Sequence, residues 1–544
     1  MNPVVTSSLS DAFKFGAQNH PETVVRFDTA SPLAPELGTA VDLATLDALV
    51  DDLAAGLRSL DLVGGDRVVI AKRNHFDYQL LAAAAVRAGC IPVLLASSVP
   101  PDQVDTVIER ADPSLVISDR VTVAKWRADT EELNELNDLG WGRTVLVDRD
   151  QIRANGFRFR STFRPIDSAQ IVTHTSGTTG IPKLVEHSIH SIGMRAKPQY
   201  SKIPVLGFKR RDRVAMCITW NHARAVDGLV ALLHAGSSLL ALGDPADLHA
   251  TGKLLDDFRP TIVESMPNLY ILWEQLPRQF PRAFESVRTY IGAFDAIHPR
   301  TVRAMLAASR CRTATWAQAY GQSEVGGITM DLYTRRSVRS NGAQLRSMGW
   351  PMPRETAARV VDERGDVVSP GTPGAIEVKT RGRALRYVGQ ESLHAKRIRG
   401  EWWTMGDVGM QTRTGRLILL DRDIDEVVGV SSCLGAEDLL MDRLPEATEI
   451  VIVADETSRR PIVALSTFGD VPPDLQRWAN ACGAIGVNLP DPHHLQWNAI
   501  PRTGTLKVRR VELAILLAQR ENTTAAAPPP SNRFSGVVAP PDAA

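Results

Sequence analysis

Short apolar runs alternate with longer stretches rich in alanine and leucine over the first part of the chain. Residues 67–70 and 91–95 are β-prone, and residues 80–88 between them have the composition of a buried helix. Strands and helices that alternate in this way are typical of an α/β fold with parallel strands. We therefore predict an α/β subdomain over about residues 1–165.

The same alternation resumes at Ile171. Residues 214–218 and 238–242 are predicted strands, and the apolar stretch 226–234 between them is a predicted helix. A second α/β subdomain therefore follows, over about residues 166–345.

After this point the pattern changes to short strands separated by turn residues. A turn at residues 371–374 precedes a predicted strand at 375–379, and residues 415–420 resemble another strand. We predict a small β-rich subdomain over about residues 346–422, which completes an N-terminal region spanning residues 1–422.

The rest of the chain divides into a structured and an unstructured part. Residues 423–520 mix helical and strand patterns and predict a small α+β domain. The end is rich in alanine and proline and nearly uncharged, so residues 521–544 are predicted to be a disordered tail.

Composition excludes several classes of protein. The 544 residues include 62 Lys plus Arg and 62 Asp plus Glu, so no net charge favours nucleic acid or an anionic membrane. The five cysteines are scattered without a CxxC pair, which argues against a disulfide framework and a structural zinc site. The N-terminus does not resemble a signal peptide, and polar residues interrupt the apolar runs. We expect a cytoplasmic protein that acts on small molecules, with no membrane span.

The segment Thr173-His-Thr-Ser-Gly-Thr-Thr-Gly-Ile-Pro-Lys183 is the richest in candidate chemistry. Its hydroxyls, exposed amides and lysine are suited to holding phosphates, although a Ser/Thr/Gly linker has a similar composition. It is not a P-loop, because Ile181-Pro182 separates the second glycine from the lysine. The candidate phosphate-binding residues are Thr175, Ser176, Gly177, Thr178, Thr179, Gly180 and Lys183.

Further motifs follow this loop in a fixed order. They are Trp220-Asn-His222 with Gly236, Ala319-Tyr-Gly-Gln-Ser-Glu324, Trp402-Trp-Thr-Met-Gly-Asp407, Leu420-Asp-Arg422 and Pro501-Arg-Thr-Gly-Thr-Leu-Lys507. Together with the loop, this series resembles the acyl-adenylate-forming (AMP-binding) superfamily of acyl-CoA and aryl-CoA synthetases, peptide-synthetase adenylation domains and luciferases. The resemblance implies an ATP-dependent ligase that converts a carboxylic acid into an acyl-AMP, and a mobile C-terminal domain over residues 423–520.

The resemblance also implies roles for residues that would hold the nucleotide. Tyr320 would face the adenine and Ser323 a phosphate, while Asp407 and Arg422 would bind the ribose. Glu324 would bind Mg²⁺, a hard cation that favours carboxylate and phosphate oxygens. Taken singly, the tyrosine could be a core aromatic and the charged residues could be solvated turn residues.

Lys507 matches the mobile lysine that catalyses adenylation in this superfamily. The chain departs from the pattern immediately before it, because Leu506 stands where the superfamily usually has glycine.

The acid would lie beside a separate group of residues. His222 matches a catalytic or gating side chain, with a core histidine as the alternative, and Arg224, Gln322 and Gly327 match substrate-pocket positions. A pocket with an arginine and a glutamine would favour an aromatic or functionalised acid, unless Arg224 turns towards solvent.

The acceptor of the acyl group stays open at this stage. After Arg422, Asp423 or Asp425 would be the hinge, and the glycine and basic residues of the superfamily's thiol-side loop are missing. CoA is the first expectation, and an amine, as in stand-alone amide synthetases, or a carrier-protein pantetheine is the alternative. A nucleotide-binding pseudoenzyme is a third possibility. Cys433 is interpreted as a structural thiol, because no activating residue lies beside it in the sequence.

Overall fold

The computed structural model describes residues 3–127, 141, 143–147, 152–154, 164–175, 181–201, 205–243, 247–295, 297–340, 347–420, 427–456 and 458–526. The chain forms two compact units. The first comprises Met1–Arg422 together with Arg502–Lys507, and the second comprises Asp423–Pro501 and Val508–Ala544.

The described strands of the first unit form two sheets. The larger sheet has the order β16-β17-β20-β21-β15-β14-β13-β12-β11-β9-β10-β1-β2, with β19 paired to β20. Its members are β1 (Val24–Phe27), β2 (Ala40–Asp42), β9 (Arg213–Cys217), β10 (Ser238–Leu242), β11 (Ile262–Ser265), β12 (Thr289–Gly292), β13 (Thr315–Gln322), β14 (Gly326–Thr334), β15 (Ser347–Pro351), β16 (Thr356–Val361), β17 (Gly374–Thr380), β19 (Ile398–Arg399), β20 (Trp402–Gln411) and β21 (Leu417–Leu419). Strands β1, β10, β9, β11, β12 and β13 run parallel to their neighbours in this series, and the part from β13 to β16 is antiparallel.

The smaller sheet has the order β18-β8-β7-β4-β3-β5-β6. Its members are β3 (Arg67–Lys72), β4 (Ile91–Ala96), β5 (Leu115–Ser118), β6 (Thr144–Leu146), β7 (Ala169–His174), β8 (Leu184–Ser188) and β18 (Arg386–Tyr387). Nearly every residue of β3, β4 and β5 is buried, as expected for parallel strands that are covered on both faces.

Helices cover these sheets. In the first unit they are α1 (Pro3–Thr6), α2 (Leu9–Asn19), α3 (Leu43–Arg58), α4 (Asp77–Arg87), α5 (Pro101–Ala111), α6 (Arg120–Trp126), α7 (Ile189–Ala196), α8 (Ala223–Ala235), α9 (Leu248–Phe258), α10 (Pro267–Trp273), α11 (Leu276–Gln279), α12 (Pro299–Ala308), α13 (Arg335–Ser340) and α14 (Glu391–Ala395). One buried apolar cluster joins residues of both sheets with α2, α3, α4 and α8, so these helices share their core with the two sheets.

The predicted strands and helices of the α/β regions agree with the structure to within about three residues at each end. The boundary at about residue 165 does not separate the two sheets, however. Strands β1 and β2 precede it yet extend the larger sheet beside β10, and β7 and β8 follow it yet belong to the smaller sheet. The difference arises because strand pairing joins segments that are far apart in sequence, which local patterns do not report.

The second unit has a sheet in the order β22-β23-β24 and three helices among its described residues. These elements are α15 (Cys433–Arg443), β22 (Ala447–Ala454), β23 (Pro461–Thr467), α16 (Leu475–Ile485), β24 (His493–His494) and α17 (Arg510–Ala526). Cys433 is buried at the start of α15. The helix α17 continues to Ala526, so it includes the first residues of the range 521–544 that was predicted to be disordered. Residues 527–544 lie outside the described part of the chain.

No helix within the described residues is both long enough and apolar enough to cross a bilayer.

Candidate active site

A cavity of about 340 Å³ lies in the first unit, where the parallel strands β12 and β13 of the larger sheet end. Its wall includes Lys183, His222, Tyr320, Glu324 and Lys507, which are separated by up to 324 positions in sequence. The carboxyl edge of an open parallel sheet is the usual place for a ligand in α/β proteins. The predicted substrate residues Arg224, Gln322 and Gly327 line the same cavity.

The ends of the predicted phosphate loop are paired with each other. The Thr175 backbone N–H donates to the Lys183 carbonyl at 3.0 Å, and the Lys183 N–H donates to Thr175 Oγ1 at 3.2 Å. The Lys183 ammonium lies 5.4 Å from the centre of the Tyr387 ring. Residues 176–180, which include the other five candidate residues of the loop, lie outside the described residues.

Two residues predicted to hold the nucleoside contact each other directly. The Tyr320 hydroxyl donates to Asp407 Oδ2 at 2.7 Å, and Asp407 is buried. The third such residue, Arg422, and both hinge candidates, Asp423 and Asp425, lie outside the described residues.

The candidate metal ligand Glu324 is held by a tyrosine that sequence analysis missed. The Tyr387 hydroxyl donates to Glu324 Oε1 at 2.5 Å, and only 6% of Glu324 is exposed. Burial, followed by the nearby Glu324 carboxylate, raises the pKa of Tyr387 well above its ordinary value, so this hydroxyl stays a donor. Tyr387 belongs to the short strand β18, which has no motif of its own.

His222 caps α8 and is neutral. The Arg224 backbone N–H donates to His222 Nδ1 at 3.1 Å, and His222 Nε2 lies 3.2 Å from Ser323 Oγ. Burial, aided by nearby positive groups that include Lys507, lowers the pKa of His222 to about 3. Because Nδ1 accepts a hydrogen bond, the proton of the neutral ring is on Nε2, which donates to Ser323. The Phe294 ring packs edge-to-face against His222 at 5.0 Å.

Lys507 ends a segment that belongs to the first unit although it follows the second unit's sheet in sequence. Its backbone N–H donates to Thr503 Oγ1 at 3.2 Å. Leu506 has a φ of +61°, in the left-handed region that favours glycine. Asn268 holds this conformation by donating to the Leu506 carbonyl at 2.7 Å. Leu506 therefore replaces the superfamily's usual glycine at a position where the backbone is left-handed.

Arg224 points into the protein, where each of its three guanidinium nitrogens has a partner. It forms a bidentate ion pair with Glu264, with both N–O distances 2.6 Å, and its Nη1 donates to Gln199 at 2.8 Å. Gln322 is engaged as well, because its amide donates to the Met405 carbonyl at 2.6 Å. Both side chains therefore shape the cavity wall with hydrogen bonds that are already satisfied within the protein.

Two charged cavity residues, Arg195 and Asp227, were missed by sequence analysis. Arg195 belongs to the last turn of α7 and Asp227 to the first half of α8. Within the described part of the chain, the Nη1 and Nη2 atoms of Arg195 and the Oδ1 atom of Asp227 are buried without a hydrogen-bond partner. Neither residue lies in a recognisable motif, and only the fold brings them to the same cavity.

The family described as AMP-binding enzyme matches residues 14–388. The chain belongs to this family and is an ATP-dependent, AMP-forming ligase. The family and the fold class predicted from the sequence are confirmed.

Individual relatives differ in what their names describe. The chain is 33% identical over 540 residues to the 3-amino-2-hydroxy-4-methoxybenzoate diazotase of Streptomyces cremeus, which covers 94% of this chain and 95% of the relative. It is 24% identical over 418 residues to the 2-hydroxy-7-methoxy-5-methyl-1-naphthoate–CoA ligase of Streptomyces carzinostaticus, 72% of each protein. Its fold matches the anthranilate CoA ligase AuaEII in complex with anthranoyl-AMP, with a TM-score of 0.75, 17% identity and coverage of 95% of this chain and 100% of that one.

Proposed function

We propose that the chain is a diazotase: it activates nitrite as an adenylate and transfers the nitrosyl group to the amino nitrogen of an aromatic amine. The observation that carries this proposal is the convergence of Lys183, His222, Tyr320, Glu324 and Lys507 on one cavity. The similarity over nearly the whole length of both proteins to a diazotase named for an aminobenzoate supports an aromatic amine as the acceptor, and the choice of nitrite follows from the chemistry of the diazo group.

The chemistry of a diazo group explains why an adenylating enzyme would make one. The second nitrogen must arrive as an electrophile, and nitrite supplies it at the required oxidation level. A nitrite oxygen can attack the α-phosphate of ATP as a carboxylate oxygen does, which releases pyrophosphate and forms O=N–O–AMP. The amine nitrogen then attacks the nitrosyl nitrogen and AMP leaves with loss of one proton, which gives ArNH–N=O. Proton-assisted loss of water from this species yields ArN₂⁺, so no oxidant or reductant is required.

We assign the activation step to the motif residues of the site. Lys507 would stabilise the charge that develops at the α-phosphate, and Lys183 would hold the departing phosphates. Neutral His222 donates from Nε2 to Ser323, whose own hydroxyl would donate to a phosphate oxygen, and the Tyr320–Asp407 pair would hold the nucleoside. A charge-stabilising role of this kind needs donors that are already positioned, and the hydrogen bonds of His222 and Tyr320 position both side chains.

Mg²⁺ fits at Glu324. This buried carboxylate is oriented by the Tyr387 hydroxyl, and a hard divalent cation favours such an oxygen together with phosphate oxygens. When bound, the cation would neutralise phosphate charge. Groups of three or more His, Cys, Asp or Glu that could hold a metal ion do not occur among the described residues, so the nucleotide would supply much of the coordination.

Ligation of an aromatic carboxylic acid to CoA is a second candidate, favoured by the similarity to the naphthoate–CoA ligase. In this case the ring carboxylate would attack the α-phosphate and the cavity would hold a single organic substrate. An amine or a carrier-protein thiol would replace CoA in the related alternatives. The acid that reacts with ATP is the ring carboxylate in these reactions and nitrite in the diazotase reaction, and this difference can be measured.

The deciding experiment compares acids in the AMP-forming reaction. Purified protein is incubated with ATP, Mg²⁺ and a panel of aminobenzoates, with and without ¹⁵N-nitrite, CoA or hydroxylamine, and Lys507→Ala is the control. We expect AMP release that requires both nitrite and an arylamine, and a diazo product labelled by ¹⁵N at its terminal nitrogen. AMP release without nitrite, accompanied by a thioester or hydroxamate, would instead establish the carboxylic acid ligase.

A further inference from the structure

We infer that Arg195 and Asp227 form a recognition pair for an aromatic ring that carries both a carboxylate and an N–H or O–H donor. This inference rests on the proposed function, because it assigns the class of the aromatic amine. If nitrite is the acid that reacts with ATP, the ring carboxylate stays unreacted and needs a binding partner of its own.

The protein leaves space specifically for the Arg195 side chain. A Cβ atom at Gly326 or Gly382 would lie 2.7 or 2.9 Å from Arg195 Cγ, so any larger residue at either position would displace the arginine. The Gly382 carbonyl accepts a hydrogen bond from Arg195 Nε at 2.7 Å. This contact holds the Nε edge of the guanidinium, and Arg195 is part of the cavity wall.

These Nη atoms require an anion. They are buried, and within the described residues they have no hydrogen-bond partner. Burial lowers the pKa of Arg195, although the nearby carboxylates of Asp227 and Glu324 oppose this effect. A guanidinium presents parallel donors that match the two oxygens of a carboxylate. Arg224, on the same wall, is less available for this role because Glu264 and Gln199 already bind each of its three guanidinium nitrogens.

Asp227 supplies the complementary acceptor. It is 4% exposed, and its Oδ1 is unpartnered among the described residues. It lies close enough to Arg195 for their charges to interact, but no hydrogen bond joins the two side chains. Its other charged neighbours are Arg224 and Glu264, which already bind each other. A ligand between Arg195 and Asp227 would satisfy both with an acidic group on one side and a donor on the other.

The remaining wall suits an aromatic ring. Apolar side chains at Leu206, Ile291, Phe294, Met330 and Met352 line the cavity beside these charged groups. Apolar surface around a few fixed polar groups is the usual composition of a small-molecule site. An amino- or hydroxy-substituted aromatic acid fits this combination, whereas a long aliphatic acid would leave both charges unsatisfied.

The test measures binding, so it does not depend on nitrite activation. Calorimetry compares 3-aminobenzoate, its carboxamide and unsubstituted benzoate on the wild type, Arg195→Lys, Arg195→Gln and Asp227→Asn. Arg195→Gln is expected to weaken the binding of 3-aminobenzoate by about tenfold to a hundredfold, which is the usual loss for a charged hydrogen-bond pair, and to have little effect on the binding of the carboxamide. Asp227→Asn is expected to weaken 3-aminobenzoate more than benzoate. Arg195→Lys is expected to retain an intermediate affinity.

The controls separate the possible failures. Arg310→Gln removes an exposed arginine outside the cavity, and melting temperatures show whether each variant is folded. Equal losses for the carboxylate and the carboxamide in folded Arg195→Gln and Arg195→Lys would overturn the inference. Ligand-selective losses in a protein that forms no AMP with nitrite would refute the proposed diazotase while leaving the recognition pair in place.

Discussion

The buried ion pair between Arg224 and Glu264 gives the sharpest test of how the cavity wall is held. Glu264 is fully buried on β11, and Arg224 approaches it with two donors at 2.6 Å each. Removal of one partner from a buried pair leaves an uncompensated charge and typically costs about 3–5 kcal/mol of folding free energy. We therefore expect Arg224→Met to destabilise the protein by about that amount. Glu264→Gln should cost about 2–4 kcal/mol in the same framework, because Asp227 can offset part of the charge left on Arg224.

The double variant is the informative measurement. Once both charges are gone, no charged partner is left unpaired. The loss in free energy of unfolding for Arg224→Met/Glu264→Gln should therefore be smaller than the sum of the two single losses by at least about 2 kcal/mol. Urea unfolding followed by tryptophan fluorescence gives the free energy of unfolding for each variant. The exposed pair Lys379–Glu401 is the matched control, with an expected coupling of about 0–1 kcal/mol. A coupling at Arg224–Glu264 no larger than that of the control would refute the claim that this pair organises the wall.

Three further predictions concern residues in or next to the cavity. Leu506→Gly is expected to keep AMP formation near the wild-type rate, because glycine adopts the left-handed backbone freely. Leu506→Val should lower that rate by about fivefold to tenfold, because the β-branched side chain adds strain next to Lys507. An unchanged rate in the valine variant would contradict this reasoning. Tyr387→Phe removes the hydroxyl that orients Glu324 and should raise the Mg²⁺ concentration for half-maximal AMP formation by about tenfold or more, with a smaller change in maximal rate, as loss of an outer-shell partner usually does. Asp227→Asn should raise the melting temperature more at pH 8 than at pH 5. Burial raises the pKa of Asp227 to about 6, so its ionised form destabilises the folded protein, and this destabilisation grows as the pH rises from about 4 through 6. Equal shifts in melting temperature at the two pH values would show that the pKa of this carboxyl is not perturbed.

The sequence predicted most of the local structure because a strand or a helix is recognisable within its own segment. The runs at residues 67–70 and 91–95 lie in β3 and β4, and the stretch 226–234 lies in α8. Sheet membership could not be predicted in the same way. Strand β1 pairs with β10 across more than two hundred residues, and nothing in residues 24–27 specifies that partner.

The residues of the candidate site likewise include some that the sequence could predict and others that it could not. Motif residues such as Tyr320 and Lys507 could be found because several informative positions stand together in one string. Tyr387 and Glu264 stand alone in sequence, and their importance comes from what they contact: Glu324 in one case and Arg224 in the other. The phosphate loop itself was predicted from composition, and its residues 176–180 lie outside the described structure, so their role stays a prediction.

The comparison of Arg195 with Arg224 shows why substrate class is harder to infer than reaction class. Both are arginines on the wall of one cavity, and the resemblance to the superfamily singled out Arg224. The fold gives Arg224 a carboxylate and an amide as partners, while it gives Arg195 a single carbonyl and leaves its two Nη atoms buried without a partner among the described residues. A charged side chain specifies a ligand only when the protein has not already satisfied it. The candidate adenylating residues can therefore be recognised by type and order, whereas the charge that we propose to select the aromatic substrate depends on contacts that only the folded chain defines.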